Sequence, residues 1–288
     1  MVTDHLALAP QAPGKPFAIV KRPDPECLKT LTEMILKTNI ARILYPVGAI
    51  RKVLRGPIHG TRFHVIPGMG ATYALGQDHW GFYFFQSKIR PGMAIYDIGA
   101  NCGQMALYFS KMVGQEGKVV SFEPVSTNAD TLRKNLTLNK IANVHLIEAA
   151  VSSDSETKVF YFDQDHHTMG TLQTAMVTQG TWSTTFEVPC VRLDDLLCEG
   201  TIPPPDWMKI DVEGAGLSVI EGALTLIREH LPSIYFEVHA ADSKAHELHA
   251  LHRLKNEFGY DIKYLNGTPL GRECPVWGEA VWCAPRLA

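Results

Sequence analysis

The chain has 288 residues, which is enough for one large domain or for one domain with an appended subdomain. Apolar residues make up 45% and charged residues 20%, with a formal net charge of −3, which argues against a disordered protein and against a nucleic-acid partner. The sequence contains no run of about 18 apolar residues that would predict a membrane span, and no basic-then-apolar signal pattern, so we expect a cytoplasmic protein.

The first 90 residues carry the weakest pattern. Residues 1–24 combine Pro, Ala and charge without periodicity, which predicts a tail or arm on the surface. Apolar residues recur at helical spacing through 27–54 and predict two helices, and a short strand is expected at 64–66. An aromatic run follows at 79–85. We expect the extension 1–90 to help close an acceptor pocket, with ordinary core packing as the alternative for half or more of these aromatic side chains.

The pattern changes after Gly92 to short apolar runs that alternate with amphipathic ones, which is typical of βαβ units around a parallel sheet. The predicted strands of the main sheet are 94–98, 118–122, 144–151, 207–210, 234–238, 262–265 and 280–283, and the predicted helices are 103–113, 127–139, 215–229 and 243–258. Two further strands, 158–162 and 186–191, lie in an insert at about 154–192 that we expect to cover the site. The sequence therefore predicts a Rossmann-like α/β domain over 91–288.

The first predicted strand runs through two glycines into a helix. Gly99 permits a tight turn and the close approach of a ligand, and the helix start at Gly103 offers free N–H groups. The spacing is G-x-x-x-G, with Asn101 where a dinucleotide fingerprint needs its second glycine, which disfavours NAD and a dehydrogenase. Asp97 would repel a pyrophosphate but suits a cationic cofactor such as S-adenosylmethionine, which carries a sulfonium and an ammonium. The alternative is a strand-to-helix turn without a ligand.

Two acids follow at the ends of the next strands. Glu123 lies about 20 residues beyond the glycine turn, where a carboxylate can accept hydrogen bonds from both hydroxyls of a ribose. This feature alone does not separate NAD from S-adenosylmethionine. Glu148 could accept a hydrogen bond from an adenine amine, and a solvated surface carboxylate is the alternative.

Five segments, AIYDIGANCG, GKVVSFEP, NLTLNKIANVHLIEAAVSS, VRLDDLL and MKIDVEGAG, occur in an order and at intervals that resemble the FkbM family of S-adenosylmethionine-dependent methyltransferases over about Arg90 to Tyr260. The resemblance implies a class I methyltransferase fold with a mostly parallel seven-stranded sheet, helices on both faces and an oxygen acceptor. Carried over, the cofactor-binding residues would be Asp97, Gly99, Ala100, Asn101, Gly103, Glu123, Pro124, Glu148, Ala149 and Asp211. Gly216 departs from the family, whose members usually carry an acid there.

The carboxyl ends of the fourth and fifth strands are where methyl transfer is expected. Asp211 and Glu213 end one strand, and His239 follows the other. Because an alcohol must lose a proton as it is methylated, a carboxylate or histidine at this position could act as the base, and we expect Asp211 and His239 in that role. Lys209 could steer the acceptor, or its stem could pack while its ammonium pairs with an acid. Glu213 could instead be an acid at a helix N-terminus.

A divalent metal is an alternative at this place, since carboxylate oxygens with one imidazole suit Mg²⁺ or Mn²⁺. Its ligands would be Asp211, Glu213, Glu237 and His239. We assign no metal from the sequence. His166 and His167 in the insert form a pair that is expected to be solvated or to contact a substrate. His246, His249 and His252 are expected on a solvent-facing side of the last helix.

The resemblance to the family thus implies methylation of a hydroxyl on a sugar, glycolipid or polyketide-like compound, with a small molecule or glycan as the acceptor. Two alternatives stay open. One is an N-methyltransferase on the same fold, because a neutral amine needs no strong base. The other is a subunit that binds S-adenosylmethionine without catalysis of its own.

Overall fold

The structure is a computed structural model that describes residues 45–54, 56–66, 80–162, 170–172, 184–239, 244–271, 275 and 278–286. The predicted tail 1–24, most of the helical pattern in 27–54, and the pair His166 and His167 lie outside the described residues.

Twenty helices and strands are described, and they follow one another along the chain in mixed order. The strands are β1 (Ile50–Lys52), β2 (Arg62–His64), β3 (Ala94–Ile98), β4 (Lys118–Phe122), β5 (Val144–Ile147), β6 (Ala150–Val151), β7 (Thr157–Phe162), β8 (Gly170–Thr171), β9 (Thr184–Val191), β10 (Trp207–Ile210), β11 (Ser233–Val238), β12 (Tyr260–Tyr264) and β13 (Glu279–Pro285). The helices are α1 (Trp80–Gln86), α2 (Gln104–Val113), α3 (Ser126–Leu138), α4 (Leu193–Cys198), α5 (Gly216–Glu221), α6 (Leu224–His230) and α7 (Lys244–Asn256).

The main sheet has seven strands in the order β12-β13-β11-β10-β3-β4-β5. The five strands from β11 to β5 are parallel, and β13 runs antiparallel to both β11 and β12. Because parallel strands point their carboxyl ends to the same edge, the residues that follow β3, β4, β10 and β11 meet there. The predicted mostly parallel seven-stranded sheet is confirmed.

Side chains that alternate along the strands build a separate core on each face of the sheet. In β3, Tyr96 and Ile98 pack on one face with apolar residues of α5, α6 and α7. Ile95 points to the other face and packs with α1 and α2, through residues such as Phe85 and Phe109. Helices therefore cover both faces, as predicted. Within the described part of the chain, no helix is long and apolar enough to cross a membrane.

Three predicted elements differ from the structure. The expected strand 144–151 is two strands, β5 and β6, which belong to different sheets. The expected helix 215–229 is interrupted at Gly222, whose backbone is so close to Ser152 that a Cβ would collide with its carbonyl oxygen. Ile50 belongs to strand β1 although it fits the helical spacing of 27–54, since β1 pairs with β2 as an antiparallel hairpin.

The insert forms a second sheet in the order β6-β9-β7-β8. Its two predicted strands are confirmed as β7 and β9, which pair antiparallel from Thr157 to Phe162. The short strand β8 and the helix α4 were not predicted, because each has too few residues for a repeating pattern of apolar side chains to be recognised.

The described part of the extension packs on the main domain through hydrogen bonds as well as through its core. The Asn135 side chain of α3 accepts a hydrogen bond from the His64 amide at 2.8 Å, and donates one to the Cys102 carbonyl at 3.0 Å. Asn139 accepts a hydrogen bond from the Arg62 amide at 2.8 Å. Strand β2 is thereby joined through α3 to the turn that follows β3.

Candidate active site

A cavity lies at the carboxyl ends of β3, β4 and β10. Seven of the residues predicted from the sequence line it: Gly99, Asn101, Glu123, Pro124, Ala149, Asp211 and Glu213. The insert sheet supplies another wall with Phe160, Phe162, Gly170 and Leu172. The Thr171 hydroxyl donates a hydrogen bond to the Glu213 carbonyl at 2.6 Å, so the insert is attached directly to the loop after β10.

Gly99 begins the turn after β3 and has a backbone conformation that only glycine adopts easily, with φ of 79°. A Cβ at this position would overlap the carbonyl oxygen of Asp211. The turn is closed by the Gly99 amide, which donates to the Phe122 carbonyl at 3.1 Å. The strand end of β10 and the turn after β3 can therefore be in contact only because residue 99 has no side chain.

Asn101 has a positive φ of 50°, a region that asparagine tolerates better than most residues. Its amide donates a hydrogen bond to Glu123 Oε2 at 2.8 Å, and its side-chain oxygen accepts one from the Cys102 amide at 2.7 Å. Asparagine at the position where a dinucleotide motif has glycine thus orders the turn.

Glu123 is almost completely buried at the end of β4. Its Oε1 accepts hydrogen bonds from the Val125 amide at 3.0 Å and from Asn128 Nδ2 at 3.3 Å. Burial raises the pKa of Glu123 to about 7, although these hydrogen bonds and that of the Asn101 amide oppose the shift. A carboxylate can accept about four hydrogen bonds, so Glu123 has capacity left for a ligand hydroxyl in the cavity that it lines.

Lys209 connects the ends of the neighbouring strands β3 and β10. Its ammonium is 3% exposed and lies 3.4 Å from Asp97 Oδ1, 3.1 Å from Asp211 Oδ2 and 3.1 Å from the Gly99 carbonyl oxygen. The register explains the pairing with Asp97, because the two residues are directly opposite each other on β10 and β3. Burial opposes the charged ammonium, but the carboxylates outweigh it and the pKa of Lys209 is raised. Lys209 is therefore packed and paired, as the alternative had it, and a part in steering the acceptor stays a prediction.

Asp97 is fully buried and does not line the cavity. Burial raises its pKa to about 6, while the Lys209 ammonium opposes the shift. Lys209 is the cation beside Asp97, and a direct contact between Asp97 and a cationic cofactor stays a prediction.

Three other predicted cofactor residues also lie outside the cavity lining. Ala100 is buried, and its amide donates to the Phe122 carbonyl at 3.0 Å. Gly103 precedes α2 with φ of 89°, and its close neighbour is Leu132. Glu148 forms an ion pair with Arg133. The first two shape the turn, and a contact between Glu148 and adenine stays a prediction.

His239 lies among three carboxylates at the ends of β10 and β11. Its Nε2 is 3.7 Å from Asp211 Oδ1, 3.6 Å from Glu213 Oε2 and 3.7 Å from Glu237 Oε1. We call Asp211, Glu213, Glu237 and His239 the carboxylate–histidine cluster. The structure brings together the acids and the histidine that the sequence placed at two separate strand ends.

Burial has the largest effect on the titration of this cluster. It lowers the pKa of His239, against the attraction of Asp211. It raises the pKa of Glu237 to about 8, and the charge of Asp211 acts in the same direction while Lys209 opposes it. Burial and the neighbouring Asp211 and Glu237 hold the pKa of Glu213 well above its ordinary value. The lowered pKa favours the neutral form of the His239 imidazole.

Glu247 on α7 was missed in the sequence. It is 1% exposed, its Oε1 accepts a hydrogen bond from the Gly216 amide at 3.3 Å, and its charge acts on Glu213. A signal was present, because Glu247 shares the helical spacing of Ala250, Leu251 and Leu254, all of which are buried. An acid on the apolar face of an amphipathic helix indicates a buried charge with a specific partner. His246, His249 and His252 are exposed, as predicted.

Comparison with known proteins gives a consistent result. The family model described as the methyltransferase FkbM domain matches residues 97–262. The 31-O-demethyl-FK506 methyltransferase FkbM of Streptomyces tacrolimicus is 26% identical over 191 residues, which cover 58% of this chain and 73% of that protein.

Solved structures also resemble the chain. The methyltransferase FkbM of Methylobacillus flagellatus KT aligns with a TM-score of 0.46 and 16% identity, over 73% of this chain and 46% of that one, so the chain spans less than half of its length. An S-adenosylmethionine-dependent O-methyltransferase of Thermotoga maritima aligns with a TM-score of 0.42 and 12% identity, over 84% and 79% of the two chains. Since the family model matches more than half of the sequence, this chain belongs to the FkbM family of S-adenosylmethionine-dependent methyltransferases.

Proposed function

We propose that the protein transfers a methyl group from S-adenosylmethionine to a hydroxyl oxygen of a sugar, glycolipid or polyketide-like compound. The observation that carries this proposal is the position of the His239 imidazole, whose Nε2 lies within 3.7 Å of three carboxylates beside the cavity. The name of the relative from Streptomyces tacrolimicus, which gives 31-O-demethyl-FK506 as its substrate, supports an oxygen acceptor.

The residues of the cavity fit the cofactor. Gly99 and Glu123 both line the cavity, and Glu123 has spare capacity to accept hydrogen bonds from a ribose. When bound, S-adenosylmethionine supplies an electrophilic methyl group on a sulfonium. Asn101 and Glu123 would hold the nucleoside part, with Pro124 and Ala149 as apolar neighbours.

The carboxylate–histidine cluster would act on the acceptor. A hydroxyl is a poor nucleophile until its proton is removed, and a base near neutrality contributes about 10²–10⁴-fold to such a step. Asp211 and His239 are placed to take that proton, because Asp211 lines the cavity and lies beside the imidazole. The negative charge of Asp211 would favour an imidazolium formed there.

The first experiment tests the cofactor by calorimetric titration with S-adenosylmethionine and, separately, with NADH. We expect micromolar binding of S-adenosylmethionine and none of NADH. Glu123→Ala should weaken binding by about 10–100-fold, which is the effect of losing hydrogen bonds to a charged group. Glu187→Ala, at an exposed position on β9, is the control. Binding of NADH in place of S-adenosylmethionine would overturn the proposal.

The second part of this test concerns the acceptor. Labelled S-adenosylmethionine is incubated with monosaccharides, glycolipids and macrolides, each paired with an amine analogue. We expect label on the hydroxyl compounds, and we expect His239→Asn to lower kcat by about 10²–10⁴-fold. The exposed His249→Asn is the matched control, with kcat unchanged. Label on the amine analogues alone would favour N-methylation, because a neutral amine is nucleophilic without a strong base.

A further inference from the structure

The carboxylate–histidine cluster has a second chemical property besides its basicity. One ligand atom each from Asp211, Glu237 and His239 can be chosen so that all of them lie within 4.8 Å of one another. Glu213 Oε2 joins this group at 3.6 Å from the imidazole Nε2. The atoms come from the carboxyl ends of two adjacent parallel strands, β10 and β11, and from the loops that follow them.

The distances from the imidazole are longer than those of hydrogen bonds. Hydrogen bonds between nitrogen and oxygen span about 2.7–3.2 Å, whereas Nε2 is 3.6–3.7 Å from three separate carboxylates. A single N–H could serve only one of them. Two ligands that are each about 2.1 Å from a cation lie about 3.0–3.4 Å apart, so small side-chain shifts would bring all four groups around one ion.

The charges around the cluster are strongly unequal. Lys209 is the cation that contacts the site, and its ammonium is shared among Asp97, Asp211 and the Gly99 carbonyl. Glu213 and Glu237 have no ion pair with a lysine or arginine among the described residues. The Oε2 atoms of both are buried and accept no hydrogen bond within the described part of the chain. Buried carboxylates are costly, and the one ammonium that acts on Glu213 and Glu237, that of Lys209, is already paired with Asp97 and Asp211, so a bound cation would reduce that cost.

A further acid lies behind the cluster. Glu247 is almost completely buried, its Oε1 accepts the hydrogen bond of the Gly216 amide, and its Oε2 has no hydrogen-bond partner among the described residues. Its charge adds to the negative potential at Glu213. The buried imidazole, the unsatisfied carboxylate oxygens and this outer acid are three separate indications of a cation.

We propose that Asp211, Glu237 and His239, with Glu213 as a fourth ligand, bind a divalent cation of the Mg²⁺ or Mn²⁺ class. Carboxylate oxygens with one imidazole nitrogen are the donors that such ions accept. The site adjoins the cavity through Asp211 and Glu213, so a bound ion would attract an oxygen of the acceptor. That use of the ion rests on the proposed function, whereas the binding of the ion does not. With the ion bound, the His239 Nε2 would be a ligand and not a base, and the ion would instead lower the pKa of the acceptor hydroxyl.

The test is a titration of the full-length protein with Mn²⁺ after treatment with a chelator and removal of the chelator. Free Mn²⁺ is measured by its electron paramagnetic resonance signal, which is lost on binding. We expect about one ion per chain, and at least a tenfold loss of affinity in Glu237→Gln and in His239→Asn. The controls carry the same changes at exposed positions, Glu187→Gln and His249→Asn, and should bind as the wild type does.

Absence of Mn²⁺ binding by the wild type, or equal binding by the wild type and both cluster variants, would overturn the metal site. Titration of the same samples with S-adenosylmethionine reports whether each variant is folded, because neither Glu237 nor His239 lines the cofactor cavity. If the wild type binds S-adenosylmethionine but does not bind Mn²⁺, the proposed metal site is overturned and the proposed function is kept. Binding of Mn²⁺ without binding of S-adenosylmethionine would keep the metal site and overturn the proposed function.

Discussion

At the scale of single residues, the shape of the site depends on a few positions where the backbone conformation or a buried contact restricts which residue fits. Gly99 allows β3 and β10 to end in contact, Asn101 orders the turn, and Glu123 holds the Asn101 amide. Lys209 then links this turn to Asp211. Glu123 and Asp211, which both line the cavity, are therefore joined through the glycine turn and Lys209.

Gly99→Ala should be much more damaging than a glycine substitution elsewhere with the same backbone conformation. We expect it to lower the free energy of unfolding by about 3 kcal/mol or more, since a left-handed conformation costs about 1–2 kcal/mol and the clash with Asp211 adds to it. Gly200→Ala is the matched control, with φ of 71° and open space around its Cβ. Urea denaturation measures both. Equal losses in the two variants would show that the contact with Asp211 is unimportant.

At the scale of elements, the aromatic run of the extension is a helix that packs on the sheet. Phe85 of α1 is fully buried, with ring centroids 4.9 Å from Phe109, 5.0 Å from Tyr235 and 5.7 Å from Trp207. This face of the sheet is opposite to the one that carries α5, α6 and α7. Among the described residues of the run, Phe82 and Phe85 thus have the core-packing role that was the alternative to closing an acceptor pocket.

Phe85→Ala should lower the free energy of unfolding by about 3–5 kcal/mol, because it leaves a cavity among three aromatic rings. Tyr83→Ala, on the same helix but 49% exposed, should cost less than about 1 kcal/mol. Thermal or urea unfolding gives both values. A small effect at Phe85 would mean that α1 contributes little to the core.

Regular, long elements were the ones that could be predicted from the sequence. The periodicity of apolar residues located β3, β4 and β10 with their bounds, and the two longest helices to within a residue or two. Short elements such as α4 and β8 have too few residues for a period. The ion pair of Asp97 with Lys209 could not be predicted from the sequence pattern. A carboxylate at a strand end can face a ligand or a buried lysine from the neighbouring strand, and the periodicity of apolar residues is the same in both cases.

At the scale of the whole molecule, several acids are buried around one lysine, and this makes stability depend on pH. The pKa of Glu123 and that of Glu247 are each raised by burial to about 7. Between about pH 4.5 and pH 7 the folded chain therefore holds protons that the unfolded chain has released. Stability is greatest at the acidic end of this window and falls as the pH rises through 7.

We expect the free energy of unfolding to fall by several kcal/mol between about pH 5 and pH 8, as measured by urea denaturation at a series of pH values. Glu247→Gln keeps an acceptor for the Gly216 amide but does not titrate, so it should flatten the dependence by about 2–3 kcal/mol. Glu187→Gln should keep the slope of the wild type. A slope unchanged in Glu247→Gln would show that Glu247 is ionised throughout.

The antiparallel strand β13 also has a consequence for the order in which the protein can assemble during synthesis. Its residues 279–285 lie between β11 and β12, where Ala280 pairs with Glu237 and Glu279 with Val238. The ribosome releases β3, β4, β10 and β11 before it releases β13. Until then, the strand that presents Glu237 has an open edge on one side, and a nascent chain is exposed to mispairing there. The edge of β11 that carries Glu237 should therefore become protected from proteases late in translation, once β13 has been released.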